Sequence, residues 1–386
     1  MTTPTNGWTR VRFAEMAESV TERVDDPSAS GVDRYVGLEH LDPGSLRISR
    51  WGVPTDVEAT KLRFAAGDVV FGRRRAYQRK IALADFDGIC SAHALVLRAK
   101  PNVALPEFLP LLMQSDLFFN RALAISVGSL SPTINWKDLA KQEFDLPPLA
   151  DQKRIAELLW AVEQQIEAMT HLVSAVHELA ASISSATFRQ RNIEWKAVES
   201  VVKIARAGGT PLRSEARFFG GTIPWVKSGE LPSDGITTAE EHLTNDGLDS
   251  SSAWLVPPGS TLVAMYGEGT TRGEVGYTNA PVSTNQAILA LVPDPALADG
   301  RFLYHWMRSR KDALRARSAG SSQKNLTKQL IGAEPFPSID IAEQHRLAEQ
   351  LDLAARAKAT LETNLTRSRV LLRELGAHLL TQRGEL

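Results

Sequence analysis

The stretch ADQKRIAELLWAVEQQIEAMTHLVSAVHELAASI, residues Ala150–Ile183, decides the fold of this chain. Apolar or small residues recur in it at alternating steps of four and three, at Ile155, Leu159, Val162, Ile166, Met169, Val173, Val176, Ala180 and Ile183. Such a heptad seam predicts a long helix packed against a partner helix, with Glu163 and Glu167 facing outward. The alternative is an ordinary amphipathic helix packed on its own domain, for which a wider apolar stripe is typical.

The C-terminal region supplies a partner helix of the same pattern. The stretch AEQHRLAEQL (Ala342–Leu351) echoes ADQKRIAELL (Ala150–Leu159). The heptad register continues through Leu347, Leu351, Ala354, Lys358, Leu361, Leu365, Ser368, Leu372, Leu375 and Leu379. Only Lys358 and Ser368 break the apolar rule. Because a duplicated helix indicates a duplicated protein, the rest of the chain should repeat as well.

The repeat extends through both halves of the sequence. A Gly-bounded strand occurs at Gly67–Phe71 and again at Gly259–Tyr266, and a loop beginning with Gly-Ser occurs at Gly128 and again at Gly320. We call these the first and second GS loops, residues 128–135 and 320–325. The sequence therefore predicts an α+β fold in which two similar domains, residues 1–149 and 191–341, are each followed by a long helix, residues 150–190 and 342–386.

The two helices are predicted to form an antiparallel coiled coil. Heptads alone are compatible with either direction, but antiparallel pairing of two like units gives a closed body with a pseudo-twofold axis. At ~1.5 Å rise per residue, a helix of about 40 residues is about 60 Å long. Such a helix would stand well clear of its own domain, and antiparallel pairing would put the two domains at opposite ends of the pair.

Composition narrows the class of protein. The chain has 386 residues, of which 43% are hydrophobic and 23% charged, as in ordinary globular proteins. It has no apolar run of the roughly 18 residues that span a membrane and no secretory signal, and its single cysteine excludes an intramolecular disulfide. We expect a cytoplasmic protein without a membrane partner. Its 44 basic and 45 acidic residues nearly cancel, so the distribution of charge matters more than the sum.

No catalytic or cofactor motif is recognisable. The Gly-rich stretch Gly267–Gly276 lacks the GK[ST] ending of a phosphate loop, and no dinucleotide-binding fingerprint is present. We predict no catalytic residue, no metal site and no cofactor in this chain.

The most informative polar stretch is RRRAYQRK, residues Arg73–Lys80, which we call the basic segment. It places five cations, an aromatic residue and an amide between two predicted strands. Arginine can bind phosphate or guanine and glutamine can bind adenine, so the segment indicates nucleic-acid binding. The alternative is a solvated loop, as most charge runs are.

The second half has a comparable set of cations. They are Arg308, Arg310, Lys311, Arg315, Arg317, Lys324 and Lys328, joined by Arg213, Arg217, Lys227 and Arg272. The two GS loops offer small donors and acceptors at Ser129, Ser131, Thr133, Asn135, Ser321, Ser322, Gln323, Lys324 and Asn325. Such side chains suit phosphate and base-edge contacts, but they are equally common in hydrogen-bonded loops and helix caps.

Several stretches together resemble the specificity (S) subunits of type I restriction-modification systems. They are Leu146–Leu159, Gly67–Leu97, Gly208–Pro211, Gly220–Leu231, Leu262–Gly276 and Thr284–Ala287. The junction LPPLADQKRIAELL before a heptad helix is the most specific of them. The second junction departs from the pattern, because Ser338, Ile339 and Asp340 stand where Pro-Leu is usual.

The resemblance implies that each domain recognises one half of a bipartite, asymmetric DNA target and that the helix pair fixes the gap between the halves. It implies two methyltransferase subunits as partners, with room for a restriction subunit, in a prokaryotic, nucleoid-associated complex. S-adenosylmethionine, ATP and Mg²⁺ would belong to those partners. The DNA-contacting residues would be Arg73, Arg74, Arg75, Tyr77, Gln78, Arg79, Lys80, His93, Ser129, Ser131, Thr133, Asn135, Thr210, Arg213, Lys227, Tyr266, Arg272, Asn285, Gln286, Ser321, Ser322, Gln323 and Lys324.

Three other functions stay open from the sequence. The same fold could serve a modification-only or another phage-defence methyltransferase. A coiled-coil adaptor that binds only proteins would share the helices but not bind random duplex DNA at low salt. A self-contained nuclease or methyltransferase would show turnover by the isolated chain. The missing catalytic motifs argue against this function.

Overall fold

The computed structural model describes residues 7–189, 193–267, 271–319 and 325–381. The strands are β1 (Thr9–Arg12), β2 (Ala17–Val20), β3 (Arg23–Val24), β4 (Tyr35–Val36), β5 (Lys61–Phe64), β6 (Val69–Gly72), β7 (Ile81–Leu83), β8 (Gly88–Ser91), β9 (Ala94–Ala99), β10 (Glu143–Leu146), β11 (Trp195–Ala197), β12 (Val202–Ala207), β13 (Phe219–Val226), β14 (Ser233–Ile236), β15 (Glu241–Leu243), β16 (Thr261–Ala264), β17 (Val275–Thr278), β18 (Ser283–Thr284), β19 (Ile288–Pro293) and β20 (Pro335–Pro337). The helices are α1 (Phe13–Met16), α2 (Leu109–Gln114), α3 (Asp116–Ala124), α4 (Trp136–Leu139), α5 (Leu149–Arg189), α6 (Asn245–Asp249), α7 (Gly300–Ser309), α8 (Lys311–Ala319), α9 (Lys328–Gly332) and α10 (Ile341–Thr381).

The chain divides into two compact units that cut across the long helices. Unit 1 consists of Met1–Leu172 with Leu361–Leu386, and unit 2 consists of Val173–Thr360. Each unit therefore takes the first part of one long helix and the last part of the other. The four-segment division of the sequence into two domains and two helices stays a prediction.

Unit 1 is built on two four-stranded sheets, ordered β2-β9-β6-β7 and β3-β5-β8-β4, with β1 and β10 paired separately. The strands β6 and β9 are antiparallel, and their apolar residues are buried on both faces. The larger core packs one sheet face against α2, α3 and the start of α5, around the aromatic rings of Phe13, Phe118 and Phe144.

Unit 2 repeats this plan with different residues. Its main sheet has the order β12-β19-β16-β17-β14, its second sheet β15-β13-β18, and β11 pairs with β20. The core again lies between the main sheet and helices, here around Phe302, Trp306 and Phe336 of α7 and β20. In both units one parallel strand pair, β4 with β8 and β13 with β18, lies in the second sheet. The predicted duplicated α+β fold is confirmed.

A buried glutamine fastens the start of each long helix to its own domain. Gln152 and Gln344 are 1% and 0% exposed, and each side chain makes three hydrogen bonds to backbone groups. In each case the side-chain oxygen accepts from one backbone N–H and the side-chain nitrogen donates to two backbone carbonyls. Gln152 accepts from Leu105 N and donates to Val103 O and Pro147 O. Gln344 accepts from Asp299 N and donates to Leu297 O and Ile339 O. The two junctions are therefore alike atom by atom.

The long helices run antiparallel, as predicted. In unit 1, Ile155 near the start of α5 shares a core with Leu379 near the end of α10. In unit 2, Ile183 in the last part of α5 packs against the core that contains Leu347 near the start of α10. The seam positions from Ile155 to Ile183 and from Leu347 to Leu379 are buried or half-buried, including Lys358 and Ser368.

The expectation that Glu163 faces solvent is wrong. Its side chain is only 4% exposed, and its Oε1 accepts a hydrogen bond from Leu46 N at 3.3 Å. Burial raises the pKa of this carboxyl, and the nearby Glu167 adds to the shift, while the bond from Leu46 opposes it. In unit 1, α5 thus packs against the domain as well as against its partner helix. Heptad spacing alone does not reveal this second contact.

No cluster of three or more His, Cys, Asp or Glu in the described residues could hold a metal ion. None of the helices in those ranges is both long enough and apolar enough to cross a membrane.

Candidate nucleic-acid interface

The basic segment forms the loop between β6 and β7 and has an unusual backbone. Arg75 and Arg79 have φ angles of 53° and 52°, on either side of a short 3₁₀ turn at residues 76–78. Left-handed backbone in a non-Gly residue costs of order 1–3 kcal/mol, so surrounding contacts must hold it. The turn leaves the ring of Tyr77 54% exposed.

The first GS loop packs directly on the basic segment, although the two lie far apart in the sequence. Arg75 N donates to Pro132 O at 2.9 Å, and Ile134 N donates to Arg73 O at 3.0 Å. An isolated antiparallel bridge between Arg74 and Thr133 joins the loops further. The structure thus brings two of the predicted sites together on one face of unit 1.

His93 completes this face. Its carbonyl accepts from Arg73 N at 3.2 Å, and its Nε2 lies 3.2 Å from Arg74 Nη1. Partial burial lowers the pKa of His93, and the charges of Arg74 and Arg73 lower it further. The imidazole is therefore neutral near pH 7, and its Nε2 can accept the hydrogen bond that the Arg74 guanidinium donates.

The five cations of the basic segment fall into two groups. Arg79 forms an ion pair with Asp116 at 2.5 Å and lies 4.8 Å from the ring centre of Phe119. Lys80 Nζ donates to Leu38 O at 2.5 Å. These three contacts are internal and need no ligand.

The other three cations are Arg73, Arg74 and Arg75. Among the described residues, none of them pairs with a carboxylate. Arg73 Nε and the neighbouring Ser131 Oγ are buried without a hydrogen-bond partner. This face therefore carries cations without carboxylate partners and polar atoms without hydrogen-bond partners, which suits contact with a polyanion.

The predicted residues of unit 2 also gather, on the edge where β13 and β18 end. Thr210 Oγ1 donates to Gln286 Oε1, and Asn285 N donates to Val226 O at 3.0 Å, which places Asn285 beside Lys227. The glycine at position 208 is needed for this packing, because a Cβ there would collide with the carbonyl oxygen of Thr284. Gln286 is exposed.

Most of the predicted cations of unit 2 have internal partners. The pairs are Arg213 with Glu241, Lys227 with Glu240 and Glu241, Lys311 with Glu274, and both Arg310 and Arg317 with Glu334. Glu334 is 0% exposed, so its two arginine partners neutralise a buried carboxylate. The hydrogen bonds to Glu240 and Glu241 raise the pKa of Lys227. These cations hold the fold of unit 2, and they are a weaker sign of a binding surface than their number indicates.

Tyr266 and Arg272 lie on the loop between β16 and β17, the counterpart of the basic segment. Two backbone bonds of unit 1 recur here, from Met265 N to Ala287 O at 2.7 Å and from Leu326 N to Met265 O at 3.0 Å. Tyr266 is 40% exposed, and Arg272 Nε is buried without a partner. Ser321, Ser322, Gln323 and Lys324 lie outside the described residues.

Sequence reasoning missed two kinds of residue. Leu130, in the middle of the first GS loop, is 95% exposed, and nothing in the apolar pattern distinguishes it from a core leucine. The junction glutamines Gln152 and Gln344 do not stand out within the motif that contains them, although their recurrence in both junctions is a signal that could have found them.

Comparison with known proteins gives a family match in each half of the chain. The model of the type I restriction modification DNA specificity domain matches twice, at residues 8–177 and 191–368. A region of 199 residues is 26% identical to the type I restriction enzyme EcoDI specificity subunit of Escherichia coli and covers 50% of this chain but 44% of that protein. The chain thus spans less than half the length of this relative.

Two solved structures share the fold over nearly the whole chain. The type I restriction-modification S subunit from M. genitalium aligns with a TM-score of 0.65 at 15% identity, covering 99% of this chain and 98% of that one. A chain from work on complex assembly and conformational transition of the type I R-M system aligns with a TM-score of 0.52 at 21% identity, covering 99% of each. Because the family model matches both halves, this chain belongs to the type I restriction-modification DNA specificity family.

Proposed function

We propose that the chain is a sequence-specific DNA-binding subunit that recognises a bipartite, asymmetric target in duplex DNA. The observation that carries the proposal is the face of unit 1 on which Arg73, Arg74 and Arg75 lie without carboxylate partners in the described chain. Guanidinium groups without carboxylate partners, beside hydroxyl and imidazole groups, suit a phosphate backbone and the edges of bases. Unit 2 offers a different set, led by Thr210, Asn285 and Gln286.

The difference between the two surfaces supports an asymmetric target. Unit 1 presents arginines and serines, whereas unit 2 presents amide and hydroxyl side chains with most cations internally paired. Amides favour adenine and arginines favour guanine or phosphate, so two unlike half-sites are expected.

We further propose that this chain performs no catalysis and that its partner subunits carry out the reactions. Two methyltransferase subunits would bind S-adenosylmethionine, and a restriction subunit, where one joins, would bind ATP and Mg²⁺. The heptad helices would set the gap between the half-sites. Support comes from membership of the DNA specificity family.

The test is salt-dependent binding of the full chain to duplex DNA. Replacing Arg74 and Arg75 with Ala should lower affinity and reduce the slope of log K against log salt by about one for each phosphate-bound arginine that is replaced. The matched control is Arg79→Ala, because Arg79 belongs to the same loop but is paired with Asp116. We expect the control to keep the wild-type slope.

Binding measured by gel shift with and without the methyltransferase separates the alternatives. If the chain does not bind duplex DNA at low salt, either alone or with the methyltransferase, it is an adaptor that binds only proteins. Equal slopes for the double variant and Arg79→Ala would place the phosphate contacts elsewhere in the chain.

A further inference from the structure

The first GS loop is built as a short finger with an apolar tip. Val127 and Thr133 exchange two backbone hydrogen bonds, of 3.0 Å and 2.9 Å, which close the loop between them. Gly128 adopts a φ of 105°, which lets the chain turn immediately after the closing pair. Leu130 lies in the middle of the closed loop and is 95% exposed.

The base of the finger is fixed to the cationic face. Thr133 bridges to Arg74, and Pro132 O accepts from Arg75 N at 2.9 Å. The backbone of the finger therefore cannot move independently of the backbone that carries Arg74 and Arg75. A polyanion that binds those two arginines would be brought against Leu130.

The two residues beside Leu130 are the small residues Ser129 and Ser131, so Leu130 is the large side chain at the centre of the loop. Ser129 is exposed, and Ser131 Oγ is buried without a hydrogen-bond partner. A single exposed leucine is ordinary on a protein surface. Here, however, it combines with a loop closed by backbone hydrogen bonds, a hydroxyl without a hydrogen-bond partner and arginines without carboxylate partners.

We propose that Leu130 is a specificity-determining residue that contacts the 5-methyl group of a thymine in the major groove of the first half-site. An aliphatic side chain neither donates nor accepts a hydrogen bond, so the base-edge feature that it can recognise is the thymine methyl. Positive charge at the base of the finger complements the phosphates that flank the groove. The inference rests on the proposed function, because it needs duplex DNA on this face.

The experiment is a cycle between a protein change and a DNA change. The probe is a duplex carrying the target that methylation mapping of cells expressing the chain with its methyltransferase reveals. Each thymine of the first half-site is replaced in turn by deoxyuridine, which removes only the methyl group. The full-length wild type should lose about fourfold in affinity at one position, the equivalent of one buried methyl group.

Leu130→Ala should lose at least about fourfold on the unmodified probe and be indifferent to deoxyuridine at that same position. Its salt slope should equal that of the wild type, because no charge changes. Leu130→Met, which keeps an apolar side chain of similar size, should retain most of the affinity. Leu353→Ala, at a 64% exposed leucine of α10, is the control and should bind as the wild type does.

Wild-type affinity for Leu130→Ala would overturn the inference, as would independent, additive losses from the two changes. Loss in Leu130→Ala without any deoxyuridine-sensitive position would also overturn it, since it would indicate an apolar wedge between bases. These failures are distinct from failure of the proposed function, which the salt slopes of the Arg74 and Arg75 variants test separately.

Discussion

Which arginine is available to a ligand depends on side chains that the local sequence does not reveal. Arg75 and Arg79 belong to one loop and share the same left-handed backbone, yet only Arg79 pairs with Asp116. In unit 2, Glu334 approaches Arg310 and Arg317 from a later part of the chain. The basic segment could thus be found from sequence, whereas its division into structural and free cations required the fold.

The junction glutamines make a stability prediction at the same scale. Gln152→Ala leaves the buried N–H of Leu105 and two carbonyls without their side-chain partner. Because an unsatisfied buried polar group costs about 1–3 kcal/mol, we expect a loss of about 2–4 kcal/mol in the free energy of unfolding. Denaturant unfolding of the full chain measures it.

The control for that experiment lies on the same helix. Gln164 is exposed, and Gln164→Ala should change stability by no more than about 0.5 kcal/mol. Equal effects of the two substitutions would mean that the buried hydrogen bonds contribute nothing beyond helix propensity.

At the scale of elements, the long helices were the most predictable part of the chain. Heptad spacing is local information, and the seam residues that it identified, from Ile155 to Ile183 and from Leu347 to Leu379, lie within the helices Leu149–Arg189 and Ile341–Thr381. The start of α10 also explains the irregular junction, because Asp340 Oδ1 accepts from Glu343 N at 2.8 Å and caps the helix. Strand pairing was less accessible, since each sheet joins strands from distant parts of the sequence.

The spacer hypothesis makes a prediction about helix length. We expect that one heptad inserted into both α5 and α10 widens the gap between the half-sites. Seven residues add roughly 10 Å at ~1.5 Å each, or about three base pairs at ~3.4 Å each. The insertions belong between Leu172 and Val173 and between Thr360 and Leu361, where the division between the two compact units falls on each helix, so that contacts within each unit are preserved. A whole heptad also keeps the seam in phase.

Methylation mapping of cells that express the lengthened chain with its methyltransferase measures the gap. Both half-sites should be unchanged and only the unread bases between them should increase. Methylation at the original spacing by a folded, lengthened chain would contradict the spacer hypothesis.

At the scale of the whole molecule, one backbone plan carries two different surfaces. The bonds from Arg73 N to His93 O and from Met265 N to Ala287 O are equivalent, yet the side chains around them differ in charge and size. A duplicated framework with diverged surfaces predicts that the two half-sites are recognised independently. Changes in surface residues of one unit should then leave the preference of the other unit intact.

Gln286 in unit 2 allows that independence to be tested. The side chain is exposed and accepts from Thr210, so Gln286→Ala should remove a contact with little effect on the core. If the amide recognises a base, discrimination at one position of the second half-site should fall by roughly 10- to 100-fold, as expected for about 1–3 kcal/mol. Methylation mapping should show relaxed base preference at that position and an unchanged first half-site.

The control is Gln350→Ala, at an exposed glutamine of α10, which should alter neither half-site. Relaxation of the first half-site by Gln286→Ala would instead mean that the two surfaces act as one, because coupling of that kind cannot arise from independent units.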